Sequence, residues 1–320
     1  MSKKTKIWLI IAASLILIGC IIFGGAMTLF KWDFKKLSTV KYETNNYEIN
    51  EKFNNISIIS DTADIVLTPA ENVKASVVCC EQKNVKHSVA VKEDTLVIEL
   101  VDRRKWYEHI GINFGTQKIT VYIPQGEYGL LSVKSDTSDV EIPDNFKFES
   151  IDISVSTGDV KCLASALEKA KIKASTGDIC VENISADTLE LSASTGKITA
   201  NSITCEGDVK IKVSTGKTSL TDIECKNLVS KGSTGKISLE NVIAKEKFSI
   251  NRDTGDISFK KCDAAEIFVE TDTGDVTGSL LSEKVFITKT STGDIDVPKT
   301  ITGGKCEITT DTGDIKIEIE

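Results

Sequence analysis

From residue 130 onward, apolar and polar positions alternate in short runs that repeat every 19 or 20 residues. A tetrapeptide, [Ser/Asp]-Thr-Gly-[Asp/Lys], marks each repeat. Apolar or small residues recur seven, five and three positions before its glycine and two, four and seven positions after it. This alternation predicts β-strands with one buried face, because successive side chains of a strand point to opposite faces. Around Gly177 the six positions hold Ala170, Ile172, Ala174, Ile179, Val181 and Ile184.

A fixed period near 20 residues is typical of a solenoid. We therefore predict an all-β fold, a single-stack parallel β-solenoid of about ten coils, each with two or three short strands and stacked ~4.8 Å from the next. A leucine-rich horseshoe is disfavoured, since the repeats lack its leucine spacing and asparagine. The tetrapeptide occurs nine times, with Gly158, Gly177, Gly196, Gly216, Gly235, Gly255, Gly274, Gly293 and Gly313.

Each tetrapeptide is predicted to form a tight corner, where glycine supplies a positive φ. The threonine before it is expected to point inward, with its hydroxyl bonded to corner backbone. One residue breaks the apolar pattern: Arg252 stands three positions before Gly255, where the other repeats place small or apolar residues.

The two ends of the solenoid differ in sequence. Degenerate tetrapeptides at residues 61–64 and 136–139 are separated by about 75 residues, rich in strand-like runs. We interpret residues 51–129 as a first coil plus a hairpin-rich insertion that caps the N-terminal end, and 130–320 as the solenoid repeats. The chain stops directly after the last repeat. The uncapped C-terminal coil is predicted either to be shielded by Glu318 and Glu320 or to self-associate.

The N-terminal segment predicts a membrane anchor. Residues 1–6 are short and basic, and residues 7–30 carry no charge over a length sufficient to cross a bilayer. We expect a single-pass protein with a cytoplasmic N-terminus, a transmembrane segment at 7–30, a linker at 31–50 and an extracytoplasmic body. Two alternatives stay open: a cleaved signal peptide, and a lipoprotein modified at Cys20.

The composition of the chain argues against several classes of function. With 39 Lys+Arg against 47 Asp+Glu, the chain has a net charge of −8, which argues against a nucleic-acid partner. The two histidines, His87 and His109, have no nearby serine or cysteine motif, so a hydrolytic triad is not supported. Nine cysteines without a C-x-x-C pair signal no zinc site or redox motif and no cofactor.

The later corners concentrate acidic residues. Stacked carboxylates repel one another, and Ca²⁺ would relieve this because it takes carboxylate and backbone oxygens. The alternative is solvated aspartate at ordinary turns, since the nonapeptide calcium repeat is absent. The candidate Ca²⁺ ligands are Asp253, Asp256, Asp272, Asp275, Asp311 and Asp314.

Three further features are candidates for function. Lys197, Lys217 and Lys236 replace the corner aspartate in the middle repeats; they either steer a polymer or another rod, or are neutralised by neighbouring aspartates. Cys205 and Cys225 occupy the same position of adjacent repeats, nine residues after the corner glycine. They are predicted either to form a disulfide or to be two buried thiols. In the insertion, basic and aromatic side chains suggest a partner contact at Arg104, Trp106 and Tyr107.

A membrane anchor, a lead-in coil, a hairpin insert and tandem Ser-Thr-Gly-Asp-[Ile/Val] repeats resemble the bacterial putative-adhesin, β-strand-repeat family, also called domain of unknown function family 4097. The resemblance covers about residues 50–320. It implies a cell-envelope protein with a parallel β-solenoid, and it implies no established activity and no catalytic residues.

Two functions are weighed. We prefer a non-catalytic, membrane-anchored surface module that contacts an envelope polymer or a protein partner, as an adhesin, a scaffold or an accessory of stress signalling. The alternative is a polysaccharide-active parallel β-helix enzyme. Such an enzyme needs long loops to wall a substrate cleft, and intervals of 19 or 20 residues leave no room for them.

Overall fold

The computed structural model describes residues 2–29, 31–33, 41–71, 74–102 and 115–320. An N-terminal helix, α1, spans Lys3–Leu29 and is long and apolar enough to cross a membrane. All the other regular elements among these residues are β-strands.

The strands fall into two groups along the chain. The first group contains β1 Tyr42–Ile49, β2 Asn55–Ser60, β3 Ala63–Pro69, β4 Ala75–Gln82, β5 Val85–Lys92, β6 Thr95–Asp102 and β7 Gln117–Ile123. The second group contains β8 Gly126–Thr137, β9 Val140–Ile142, β10 Phe146–Thr157, β11 Val160–Cys162, β12 Ser165–Thr176, β13 Ile179–Ala186, β14 Thr188–Thr195, β15 Ile198–Cys205, β16 Asp208–Thr215, β17 Thr218–Thr234, β18 Ile237–Thr254, β19 Ile257–Thr273, β20 Val276–Leu280, β21 Lys284–Thr292, β22 Ile295–Asp296, β23 Gly304–Thr312 and β24 Ile315–Ile319.

These strands stack into a parallel β-solenoid, as the repeat predicts. One face consists of β8, β10, β12, β14 and β16, continued by the second halves of β17, β18 and β19. The other face consists of β9, β11, β13 and β15, continued by the first halves of β17, β18 and β19. Most of the positions predicted to point inward are buried, and they form one continuous apolar core. The exceptions lie mainly in the Gly293 repeat, where Phe286 is partly exposed and Ile295 is exposed.

The predicted glycine corner joins the two faces of each coil. The nine glycines have φ between 130° and 152°, a range that L-residues rarely adopt. A Cβ on Gly216 would lie 1.9 Å from the carbonyl oxygen of Gly196 in the coil below. The expected inward threonine is wrong: Thr176 and Thr195 are exposed, because the inward frame ends three positions before glycine. Their backbone carbonyls instead accept the N–H of glycine in the coil below.

A second corner interrupts the other face six residues after five of the nine corner glycines. The residues there are left-handed, with φ between 52° and 56°, and the strand register skips them. Asparagine and aspartate tolerate this conformation best after glycine, which explains their frequency at the position. The five residues are Asn183, Ser202, Asp222, Asn241 and Lys261.

Lys261 is the least suited of these five residues to a left-handed backbone, because its side chain cannot bond locally to offset the strain. We expect Lys261→Asn to raise the midpoint of thermal unfolding by about 1–3 °C, which corresponds to under about 1 kcal/mol. Lys245→Asn, at an exposed position outside the corner, is the matched control and should leave the midpoint unchanged. Equal effects of the two substitutions would contradict the assigned strain.

The insertion adds one coil, β6–β7, at the N-terminal end of the solenoid. This coil lies outside the β2–β3 coil, although it follows that coil in the chain. β6 and β7 pair in parallel with β2 and β3, on the side away from β8 and β9. β5 then adds antiparallel to β6, while β4 and β1 add antiparallel beside β7. β1 lies within the segment expected to be a linker. The side chains of β1 alternate only weakly between apolar and polar, and Ile49 is the only buried one. The sequence pattern therefore does not predict this strand.

The C-terminal end is also out of chain order. β23 and β24 lie between the β19–β20 coil and the β21–β22 coil. The uncapped coil is therefore β21–β22, and the expectation that the last repeat forms the free end is wrong. Burial explains the order, since Cys306, Ile308 and Ile315 of the last repeat are fully buried, whereas Ile295 of the end coil is 46% exposed. Self-association through this end stays a prediction.

Arg252, which breaks the apolar pattern, lies inside the core at 1% exposure. Its guanidinium donates to the Val213 carbonyl (3.3 Å), Thr218 Oγ1 (3.0 Å) and Ser230 Oγ (3.3 Å). Gly232 provides the space for the guanidinium, because a Cβ at residue 232 would lie 1.6 Å from an Arg252 terminal nitrogen. Burial lowers the pKa of this guanidinium. Polar and small residues of neighbouring coils thus bind the two terminal nitrogens of this buried cation, whereas its Nε has no hydrogen-bond partner.

Candidate functional site

The corner aspartates form a ladder with a structural role. At six of the nine corners, the residue after the glycine donates its backbone N–H to the carboxylate at the same position of the neighbouring coil. Asp178 N lies 2.7 Å from Asp159 Oδ1, and Asp314 N lies 2.9 Å from Asp275 Oδ1. These bonds satisfy amides that the strand ladder leaves free at the turn. Aspartate is favoured here because its short side chain reaches the next coil.

The predicted Ca²⁺ ligands lie along the same ladder. Asp256, Asp275 and Asp314 occupy successive coils, and each of the first two accepts a backbone N–H from the next. Among the described residues, the ligand atoms of three metal-binding side chains come within 4.8 Å of one another only at Cys79, Glu81 and His87, in the N-terminal cap. Ca²⁺ binding at the corner, which would also involve Asp253, Asp272 and Asp311, stays a prediction.

The middle coils carry a strip of lysines that we call the lysine edge. Three of these lysines directly follow a corner glycine. The other three stand four positions before a corner glycine, on the strand that leads into the corner. All six side chains are exposed, and none of them lies in an ion pair with a described residue. The predicted neutralisation of the corner lysines by aspartates is therefore not seen. The lysine edge consists of Lys173, Lys197, Lys212, Lys217, Lys231 and Lys236.

Stacking concentrates this positive charge. Lys212 and Lys231 are register partners on neighbouring strands. Lys197, Lys217 and Lys236 occupy successive coils, linked by backbone hydrogen bonds. Like charges ~5 Å apart repel by about 1 kcal/mol even in a water-like dielectric. The corner position thus offers three cations in successive coils, without an ion-pair partner among the described residues.

A shallow depression of about 520 Å³ extends from the lysine edge across the adjoining strand face. Its wall includes Lys171 and Lys210, which pair with Asp152 and Asp208 at 3.3 Å each. It also includes Glu190, whose carboxylate pairs with Lys169 at 2.9 Å. The exposed methylenes of the lysines and the side chain of Val229 give the depression an apolar floor. The surface can therefore hold an extended anionic chain, with charge contacts along one side.

The cysteines of the solenoid behave as small core residues. Cys205 and Cys225 are buried in adjacent coils as free thiols, so the structure shows no disulfide between them. Burial raises the pKa of each thiol to about 12, which keeps them protonated and unreactive in the folded protein. The predicted partner contact at Arg104, Trp106 and Tyr107 lies outside the described residues.

Two groups of residues escaped the sequence analysis. Lys173, Lys212 and Lys231 share one phase of the repeat, so aligning the repeats by their glycines could have found them. Cys79 and Glu81 are two residues apart on one strand and therefore share a face. Their proximity to His87 depends on how the insertion folds, and no spacing motif signals it.

A family model described as Toastrack DUF4097 matches residues 53–212 and 206–320. No curated protein matches the sequence. Among solved structures, a putative adhesin from Bacteroides fragilis NCTC 9343 is 19% identical, with 87% of this chain and 97% of that chain covered and a TM-score of 0.39. A putative lipid binding protein from Parabacteroides distasonis ATCC 8503 is 16% identical, with 88% and 98% covered and a TM-score of 0.44.

The two family matches run through the first coil, the insertion and all of the glycine-corner repeats. They cover well over half of the chain and agree with the resemblance that the tandem Ser-Thr-Gly-Asp repeats indicate. This chain belongs to the Toastrack DUF4097 family.

Proposed function

We propose that this protein is a membrane-anchored, extracytoplasmic, non-catalytic module that binds an anionic polymer of the cell envelope along its lysine edge. α1 is the anchor, with its N-terminus in the cytoplasm, and the solenoid is a rod that displays the edge outside the membrane. Such a module serves as an adhesin or a scaffold, because it holds a polymer without changing it.

The observation that carries the proposal is the lysine edge, whose six exposed lysines form no ion pair with a described residue, on a chain whose net charge is −8. Folding brings these like charges together in neighbouring coils, at a cost in repulsion. A bound polyanion relieves this repulsion. Its anionic groups recur at regular intervals, as the lysines do from coil to coil, so several charge pairs can form at once. The surrounding acidic surface disfavours non-specific contacts elsewhere.

The enzyme alternative has less support. A polysaccharide-active β-helix needs a cleft that positions and desolvates its substrate. In the repeat region the corners are tight and the connections short, and the depression beside the lysine edge is shallow. The acidic ladder engages its carboxylates in backbone hydrogen bonds, which leaves them poorly placed as a general acid–base pair.

The proposal is tested by binding to a fluorescent poly(glycerol phosphate). The full chain in a neutral detergent is titrated at about 50 and about 200 mM salt. Replacing four lysines of the edge with serine is expected to weaken binding at least tenfold at the lower salt and to flatten the salt dependence. The expectation follows from losing four charge contacts of about 0.5 kcal/mol each, or about 2 kcal/mol together. The variant is Lys212→Ser, Lys217→Ser, Lys231→Ser and Lys236→Ser.

A matched control removes the same charge from exposed lysines elsewhere on the solenoid. Its affinity should fall less than threefold, since long-range attraction alone is reduced. Equal losses in the two variants, or no binding by the unmodified chain at the lower salt, would rule out the lysine edge as the site. The control is Lys134→Ser, Lys147→Ser, Lys305→Ser and Lys316→Ser.

A further inference from the structure

The N-terminal cap contains a buried cluster of metal-binding side chains. Cys79 and Glu81 point inward from β4, and His87 points inward from β5. Cys79 and Glu81 are fully buried, and the side chain of His87 has no exposure. One ligand atom from each residue lies within 4.8 Å of the others. Such convergence of a thiol, a carboxyl and an imidazole is unusual in an apolar core.

Glu81 has its hydrogen bonds satisfied within this cluster. Its Oε2 accepts from the His87 backbone N–H (2.6 Å) and lies 2.8 Å from His87 Nδ1. Its Oε1 accepts from Asn45 Nδ2 (2.7 Å). The hydroxyl of Tyr47 donates to the His87 carbonyl at 3.2 Å and lies 3.5 Å from Oε1. These partners hold the carboxylate and the imidazole in fixed orientations.

The imidazole is not satisfied in the same way. His87 Nε2 is buried and has no hydrogen-bond partner. Leaving such a polar atom unpaired costs about 1–3 kcal/mol. A metal ion bound by the cluster would replace the bond between Glu81 Oε2 and His87 Nδ1 as the link between the two side chains. The unpaired nitrogen, in a cluster that also contains a buried thiol, therefore points to a missing ligand.

We propose that Cys79, Glu81 and His87 bind one Zn²⁺ ion that stabilises the cap. Zinc accepts sulfur, nitrogen and oxygen donors together, whereas Ca²⁺ and Mg²⁺ require oxygen and iron–sulfur clusters require several thiolates. Zinc–ligand bonds of about 2.0–2.3 Å place two ligand atoms of one ion at most ~4.6 Å apart. The three ligand atoms lie within 4.8 Å of one another, so small side-chain shifts bring them to one ion. Binding replaces the thiol proton of Cys79, which is released to solvent. Water is the usual fourth ligand of a three-residue set.

The position of the cluster gives the ion a structural role. β4 belongs to the sheet with β1 and β7, and β5 belongs to the sheet with β6. The two strands share one register pair, Gln82 with Val85, and then diverge. An ion bound to residues of both strands ties the two sheets together. This would keep the cap closed over the end of the solenoid core.

The test uses the full chain in detergent, stripped with a chelator and then exposed to zinc alone. We expect one tightly bound zinc per chain by elemental analysis, and a thermal midpoint several degrees higher with Zn²⁺ than with EDTA. Excess Ca²⁺ should not displace the bound zinc. Cys79→Ala and His87→Gln should each lose the bound zinc. Two controls should retain it: Cys80→Ala, the partly exposed neighbour, and Cys162→Ala, a buried thiol elsewhere.

Cobalt substitution keeps the proposal testable if a ligand variant fails to fold. Co²⁺ added to the stripped, unmodified chain should give the near-ultraviolet charge-transfer absorption of a thiolate–cobalt bond. The proposal is overturned if zinc remains at background level, if Cys79→Ala folds and binds zinc like the unmodified chain, or if bound cobalt shows no thiolate band.

Discussion

Gly216→Ala is expected to lower the free energy of unfolding by about 4 kcal/mol, more than any exposed substitution in the chain. Two costs combine at this corner. The backbone has φ of 148°, which a Cβ strongly disfavours, and that Cβ would lie 1.9 Å from the backbone oxygen of Gly196. Neither atom can withdraw, because each belongs to a hydrogen-bonded coil. Denaturant unfolding of the full chain, followed by circular dichroism, measures the loss.

Gly126→Ala is the matched control for this substitution. Gly126 has nothing within 4 Å of a built Cβ and lacks a positive φ. Its replacement should change the stability by less than about 0.5 kcal/mol. A small effect at Gly216, comparable to that at Gly126, would mean that the corner is not the tight turn described above.

Gly232→Ala is expected to destabilise the protein by about 3 kcal/mol through a different mechanism. The added methyl group would lie 1.6 Å from an Arg252 terminal nitrogen and 2.2 Å from the Val213 carbonyl oxygen. Arg252 cannot swing aside, since it is buried and bonded to Thr218 and Ser230. The same denaturant measurement reports the loss.

The contact between Gly232 and Arg252 is isolated by a double-mutant cycle. In an Arg252→Ala background, Gly232→Ala should cost about 1–2 kcal/mol less than in the unmodified chain. The rescue is partial, because the Val213 carbonyl still opposes the methyl group. Additive effects of the two substitutions would show that the guanidinium does not occupy the space beside Gly232.

The repeat predicted the solenoid because the same local physics recurs in every coil. Period-two burial, as at Ile172 and Ala174, fixes which face of a strand is inward, and a corner glycine fixes where the chain turns. The order of the end coils was not predictable in this way. The Gly293 and Gly313 repeats share Thr-Gly-Asp-Ile at the corner, so their stacking order depends on which inner face tolerates solvent better.

The candidate sites were predictable to different degrees. Lys197, Lys217 and Lys236 follow directly from the corner alignment. Whether these lysines form ion pairs depends on the geometry of their side chains, which an alignment of the repeats does not give. The cluster of Cys79, Glu81 and His87 depends on β4 and β5 diverging after their hairpin, a tertiary arrangement without a sequence signature. Arg252 was recognised as a break in the pattern, but its compensation by Ser230 and Gly232 appears only in three dimensions.

The central claim is that the repeats stack as one ladder, with the last repeat inside the stack. An engineered disulfide tests it most directly. Thr277 and Lys316 are register partners on adjacent strands, whereas Asp296 lies one strand further, beyond Lys316. Adjacent strands lie ~4.8 Å apart, within the Cα range of a disulfide, and next-neighbours lie about twice as far apart.

The full chain with Thr277→Cys and Lys316→Cys should therefore form the bridge on mild oxidation, detected by mass spectrometry of its peptides. The chain with Thr277→Cys and Asp296→Cys should not form it. The reverse result, a bridge to position 296 and none to position 316, would show that the coils follow chain order and would contradict the account.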